Sequence, residues 1–232
     1  MITISENFLR ASADYLYLLQ KAYPQKSIIK LVGDKYQLNS LERSMLFRGL
    51  TCSKDCHLRA KKHIKKLKPG TKLYIDGYNT IRTIGSYLTG KVVFIAMDGF
   101  LRDAAEMHRS ILKGKVINQV LNLLIEYLSN SEASESTIYL DEPISKSGEL
   151  ASNLNKRILM DSLIGIAKTV HSPDYYLKEV NTGTICTADS AIIDHCQVKV
   201  FDLARAVLEL NFNPDFISFE KLIHKLYHFA ET

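Results

Sequence analysis

The sequence has no apolar run approaching the roughly 18 residues that a membrane-spanning helix needs. It has no glycine-rich phosphate loop closing in Gly-Lys-Ser or Gly-Lys-Thr, and no GxSxG nucleophile elbow. Those absences argue against a membrane partner, a P-loop nucleotide binder and a serine hydrolase of the α/β type. MITISENFLRAS at the N-terminus carries neither a basic segment with an apolar core nor a small-residue cleavage site, so a cytoplasmic protein is expected. Cysteine is scarce: four residues, Cys52, Cys56, Cys186 and Cys196, are too few and too scattered for a secreted disulfide framework, and reduced thiols are expected. Cys52 and Cys56, with three residues between them and His57 and His63 nearby, offer zinc-ligand chemistry, but no CxxC pair is present to complete a tetrahedral set. No internal repeat or low-complexity segment is present.

Charge is unevenly spread. Residues 1–72 hold fifteen Lys or Arg against five Asp or Glu, whereas residues 73–232 hold fifteen against twenty. A basic part able to hold a polyanion therefore precedes an acidic part able to hold cations.

The pattern divides at the same place, into a helical module over 1–70 and an α/β domain over 71–232. Phe8, Leu9, Tyr15, Leu16, Leu18 and Leu19 recur at helical spacing until Tyr23-Pro24 breaks the run. A second helix follows, with Gly33 as its expected cap, and Asn39 with Glu42 has capping-box spacing for a third. A fourth is expected over SKDCHLRAKKHIKKLKPG, with Lys61, Lys65 and Lys68 on one face and Lys62 and Lys66 on the next. With Arg59, those lysines offer a stripe for a phosphate backbone; the plainer reading is a solvated helix packing through Ala60, Ile64 and Leu67.

After Gly70, short apolar strands alternate with helices: LYID (73–76), VVFIAMD (92–98), TIYLDE (137–142), TICTAD (184–189) and VKVFD (198–202), with helices expected over about 79–88, 101–129, 147–170, 190–196 and 203–210. The alternation predicts a mostly parallel sheet of about five strands flanked by helices. Each strand has acid at or just past its C-terminal end: Asp76, Asp98, Asp141 with Glu142, Asp189, and Asp202. In an open parallel sheet those ends line one edge, where ligands bind. Carboxylates gathered there raise one another's pKa unless a cation neutralises them, and Mg²⁺ or Mn²⁺ prefers such oxygen donors. The competing reading is local: Asp76-Gly77 and Asp98-Gly99 suit tight turns, and Asp189-Ser190 suits a helix cap.

IDGYN at 75–79, MDG at 97–99 and CTADSAIID at 186–194 resemble the PIN-like nucleases, in particular their NYN branch, over roughly residues 72–205. KLVGDKYQLNSLER at 30–43 resembles the front half of an uncharacterised, largely archaeal family with a helical module ahead of a PIN-like region. The likeness implies a PIN-like sheet and a Mg²⁺ or Mn²⁺ cleft that cleaves RNA. It makes Asp76 the first metal ligand, Asp189 a later one, Asp98 the MDG-strand carboxylate and Asn79 a support for the first loop. It also implies an acid at the start of a middle helix, where Glu149 is preferred to Glu142. For the last ligand Asp202, which ends its own strand, is preferred to Asp194, which a helix turns away from Asp189.

Arg102, His108 and Arg109 are further candidates for phosphate, and Tyr74, Tyr78 and Tyr139 for base stacking, although tyrosine also packs well in strands. Two functions fit: a metal-dependent endoribonuclease, or a nucleic-acid-binding module that keeps the fold without turnover. A homo-oligomer is compatible with either.

Overall fold

The computed structural model of the protein describes residues 4–104 and 114–223. In chain order the elements are α1 (Glu6–Gln20), α2 (Gln25–Lys35), α3 (Ser40–Gly49), α4 (Ser53–Lys62), β1 (His63–Ile64), β2 (Lys72–Asp76) and α5 (Gly77–Leu88). Next come β3 (Val93–Ile95), β4 (Leu101–Asp103), α6 (Gly114–Asn130), β5 (Glu135–Asp141), α7 (Ser147–Met160) and β6 (Gly165–Val170). The last are α8 (Pro173–Lys178), β7 (Thr184–Cys186), α9 (Ser190–His195), β8 (Lys199–Phe201), α10 (Leu203–Phe212) and β9 (Ile217–Ser218). Among the described residues, no helix is long and apolar enough to cross a membrane. His108 and Arg109 lie outside them.

The chain forms two compact units: Met1–Ala60 with Gly90–Glu106 and Asp215–Thr232, and Lys61–Thr89 with Met107–Pro214.

The first unit is an N-terminal helical region with a small sheet. The Ser5 hydroxyl caps α1 by accepting from Phe8 N–H, and Asn39 with Glu42 forms the expected reciprocal capping box on α3. Gly33 does not cap α2: it lies within the helix, where a Cβ would collide with the Arg43 guanidinium. The core gathers Phe8, Tyr15, Ile28, Met45 and Leu46 with Phe94 and Phe219. The Phe219 ring lies 5.2 Å from Phe94 and 6.1 Å from Phe8, so residues from three separated stretches share one core.

The strand expected over 92–98 belongs to this unit and not to the parallel sheet. Val93–Ile95 pairs antiparallel with Leu101–Asp103 and parallel with β9. The turn between β3 and β4 is closed by Ala96 N–H donating to the Phe100 carbonyl, with Gly99 at φ 87°. Leu101–Asp103 is therefore a strand where a helix was expected.

The second unit is a six-stranded sheet in the order β1-β8-β7-β2-β5-β6, with every pair parallel. Its inner strands are apolar because they are covered on both faces: Leu73, Ile75, Ile138, Leu140, Ile185 and Val200 are all buried. Register aligns Ile75 with Ile138 and Cys186, on the face where Phe201 stacks on Tyr127 of α6. Side chains of opposite parity, such as Tyr139, face α8.

Two expected helices are cut short by edge strands. Residues 147–170 form α7, a turn at Asp161-Ser162 and then β6, which buries only Ala167. The lysine-rich helix ends at Lys62, and His63–Ile64 becomes β1. Lys65, Lys66 and Lys68 are thus not helical, and no lysine stripe forms.

Candidate functional site

Sheet order brings four acidic strand ends of the second unit into succession. Asp202 follows β8, Asp189 follows β7, Asp76 closes β2 and Asp141 closes β5. From β2 the chain winds outward through β5 and β6, then returns through β7 and β8 on the other side. The crevice between β2 and β7 is therefore the topological switch point of the sheet, the usual ligand position in open α/β folds.

Asp76 and the segment after β7 are joined there by direct hydrogen bonds. Thr187 Oγ1 donates to Asp76 Oδ2 at 2.9 Å, and the same hydroxyl accepts from Asp189 N–H at 3.1 Å. Asn79 Oδ1 accepts from Ala188 N–H at 2.9 Å, which links the start of α5 to the segment after β7. Asp76 Oδ1 accepts from Asn79 N–H and so also caps α5. Gly77 has no room for a side chain, because a Cβ would come within 2.8 Å of the Tyr139 carbonyl and closer still to Leu140. That close approach seats the start of α5 on β5.

Asp76 is only 7 % exposed. Burial pushes its carboxyl up to about 7 against the lowering effect of the Asn79 and Thr187 hydrogen bonds, and the charges of Asp189 and Asp141 add to the rise. Asp141 is half-buried and is raised by desolvation, with Arg82 of α5 opposing. Ion pairs among the described residues lie elsewhere, such as Lys72 with Glu135 and Lys178 with Asp174, and none engages Asp76, Asp141 or Asp189.

The turn-and-cap reading is also realised. Asp189 caps α9 by accepting from Ala191 N–H at 2.7 Å, and buried Asp202 caps α10 by accepting from Arg205 N–H at 3.0 Å. Among the described residues no three His, Cys, Asp or Glu side chains gather closely enough to hold a metal ion. Asp76 and Asp189 are hard oxygen donors suited to Mg²⁺ or Mn²⁺. Mg²⁺ commonly takes one or two carboxylates and completes its shell with water and phosphate oxygens.

The remaining candidates have settings of their own. Asp98 is in the first unit, its side chain 0 % exposed, with both oxygens held by Arg102 at 2.8 and 2.7 Å and one also by Arg59 at 3.1 Å. Burial alone would raise it, but the two guanidinium groups outweigh burial and hold it below the usual carboxylate range. Asp98, Arg59 and Arg102 are thereby committed to one another. Glu149 is exposed and pairs with Lys146 at 3.3 Å, Glu142 is exposed, and Asp194 lies exposed near the C-terminal end of α9. Lys62 Nζ donates to the carbonyls of Ile193, Asp194 and Cys196, so it closes the end of α9 instead of facing a polyanion.

Thr187 and Arg82 were not singled out from sequence. Thr187 stands in the T-x-D spacing of CTAD, whose hydroxyl was the overlooked signal. Arg82 lies one helical turn after Tyr78 and over its ring, 5.2 Å from the centroid.

Residues 64–206 match a family described as a domain of unknown function, DUF5616, and residues 7–62 match a protein of unknown function, DUF434. The chain is also 30% identical over 203 residues to an uncharacterized protein of Methanocaldococcus jannaschii, an alignment spanning 86% of this chain and 96% of that one. No solved structure matches.

Proposed function

The chain belongs to the DUF5616 family, and we propose that it is a divalent-metal-dependent ribonuclease whose centre is the crevice between β2 and β7. The observation that carries the proposal is Asp76: a buried carboxylate at the switch point, hydrogen-bonded to Thr187, beside Asp189 and Asp141, with no protein cation paired to it among the described residues. Bound Mg²⁺ or Mn²⁺ would neutralise these acids and supply an activated water for phosphodiester hydrolysis. Asp76 and Asp189 would hold the ion, Thr187 and Asn79 fix the two loops that carry them, and Asp141 extends the negative edge. Asp202, a buried cap on the neighbouring strand, supports the same edge. The likeness of IDGYN and CTADSAIID to PIN-like nucleases supports RNA as substrate.

The alternative, a nucleic-acid-binding module without turnover, is favoured by the lack of any gathering of three metal-ligand side chains among the described residues. One experiment separates them. Purified protein is incubated with single-stranded and structured RNAs in Mn²⁺ and in EDTA, beside an Asp76→Asn, Asp189→Asn double variant. Cleavage in Mn²⁺ that EDTA and the double variant both abolish is the expected result. Binding without cleavage in any metal supports the module, and cleavage surviving in the variant rules out this centre.

A further inference from the structure

A group of aromatic rings lies on the face of the sheet that carries the carboxylates. Tyr139 stands in β5 two residues before Asp141, and register sets it beside Asp76. Its side chain is buried, and the Tyr176 ring of α8 stacks on it at 5.6 Å with planes 16° apart. Tyr175 meets Tyr176 edge-on at 5.7 Å and 88°, which makes a right-angled corner of two rings. That corner is open: Tyr175 is 66% exposed and Tyr176 45%. Pro173 and Leu177 are the buried anchors of this six-residue helix, and Tyr176 packs against Tyr139, so Tyr175 and the remaining surface of Tyr176 are left facing water.

A cation borders the rings. Lys168 Nζ lies 5.1 Å from the Tyr139 centroid on the exposed part of β6. Stacking faces for bases, flanked by a positive group for phosphate and continuous with a carboxylate edge, are what an unpaired nucleic-acid strand requires. A duplex keeps its bases stacked on one another and offers such a corner only its ends.

We propose that Tyr175 and Tyr176, with Lys168, form a stacking subsite for single-stranded RNA that leads the strand towards Asp76. The subsite rests on the ribonuclease reading for the direction of the strand, but its binding is testable without cleavage.

The probe is a fluorescein-labelled 12-nucleotide single-stranded RNA of mixed sequence, with a matched duplex as control, and anisotropy is read in EDTA. The wild type is expected to favour the single strand. A Tyr175→Ala, Tyr176→Ala double variant is expected to bind it about tenfold or more weakly, while Tyr175→Phe, Tyr176→Phe stays near wild type, because stacking needs the ring and not the hydroxyl. Lys168→Gln is expected to lower the slope of log affinity against log salt by about 0.7. Unchanged single-strand binding by the double alanine variant, no single-strand binding by the wild type, or equal preference for duplex would each overturn the proposal. Thermal melting of the alanine variant confirms that the exposed substitutions leave the fold intact. Ring-dependent binding with no cleavage in Mn²⁺ leaves the subsite standing and removes the nuclease reading. Cleavage with ring-independent binding does the reverse.

Discussion

Thr187 and Asp76, 111 residues apart in the chain, meet in a buried hydrogen bond of 2.9 Å. The bond ties the loop after β7 to the end of β2, and because Thr187 also accepts from Asp189 N–H, one hydroxyl positions both acids. Thr187→Val keeps the shape but removes the donor and the acceptor. It is expected to destabilise the protein by about 1–2 kcal/mol in denaturant melts and to weaken Mn²⁺ binding by calorimetry, whereas Thr187→Ser preserves both.

Asp76→Asn is expected to stabilise the protein at alkaline pH and not at acid pH. The folded carboxyl sits at about 7, above its ordinary value of 3.8, so the folded state binds the extra proton. Below the ordinary value both states are protonated and the residue costs nothing. As pH rises towards 7 the penalty grows, and above 7 it is complete. Unfolding free energies of the two proteins from urea melts, compared at pH 4 and pH 8 in EDTA, should diverge only at pH 8, by more than about 1 kcal/mol. Added Mn²⁺ should reverse the order at pH 8 by stabilising the wild type alone.

Asp98 predicts the opposite pH behaviour. Its folded pKa is depressed by Arg102 and Arg59, so its contribution is present above the unfolded value and is lost as pH falls through the folded one. Asp98→Asn leaves two buried guanidinium groups underpaired and is expected to cost about 3–5 kcal/mol at neutral pH, with the loss fading in acid. Glu149→Gln, in an exposed pair, should change stability by no more than about 0.5 kcal/mol. Urea melts at pH 7 distinguish the two.

Lys62→Met removes an ammonium that satisfies three carbonyls at the end of α9. A loss of about 1–3 kcal/mol is expected, together with faster amide exchange in α9. Lys65→Gln, Lys66→Gln and Lys68→Gln should leave stability unchanged, since no helix depends on them.

Asn155 guards an edge. Its carboxamide accepts from Ala167 N–H at 2.7 Å and donates to the Ala167 carbonyl at 2.8 Å, so it occupies outward backbone groups of edge strand β6. Isoleucines 164 and 166 beside it are 72% and 48% exposed. Asn155→Ala should therefore self-associate at concentrations where the wild type does not, read by light scattering.

The strands that could be read from sequence were those buried on both faces. LYID, TIYLDE, TICTAD and VKVFD are largely apolar where helices cover each side, apart from exposed Lys199, and they contain β2, β5, β7 and β8. GIAKTV resisted because an edge strand buries only Ala167 and offers no alternation to read. Val93–Ile95 misled for another reason: its local pattern suits either sheet, and the partner is decided by residues 101–103 and 217–218. The Asp98-Gly99 pair between two apolar runs was the available hairpin signal. Asp98 itself shows the limit of counting acids at strand ends, since only the fold reveals the arginines that claim it.

The core around Phe219 sets an order of assembly on the ribosome. The N-terminal helices emerge first, yet their core needs Phe94 and then Phe219, which is fully buried and arrives after the whole second unit has been made. The last strand of that unit's sheet is complete at Phe201 and its last helix at Phe212. The later-synthesised α/β unit can therefore close while the first-synthesised helices still wait, exposing apolar faces that a holding chaperone would recognise.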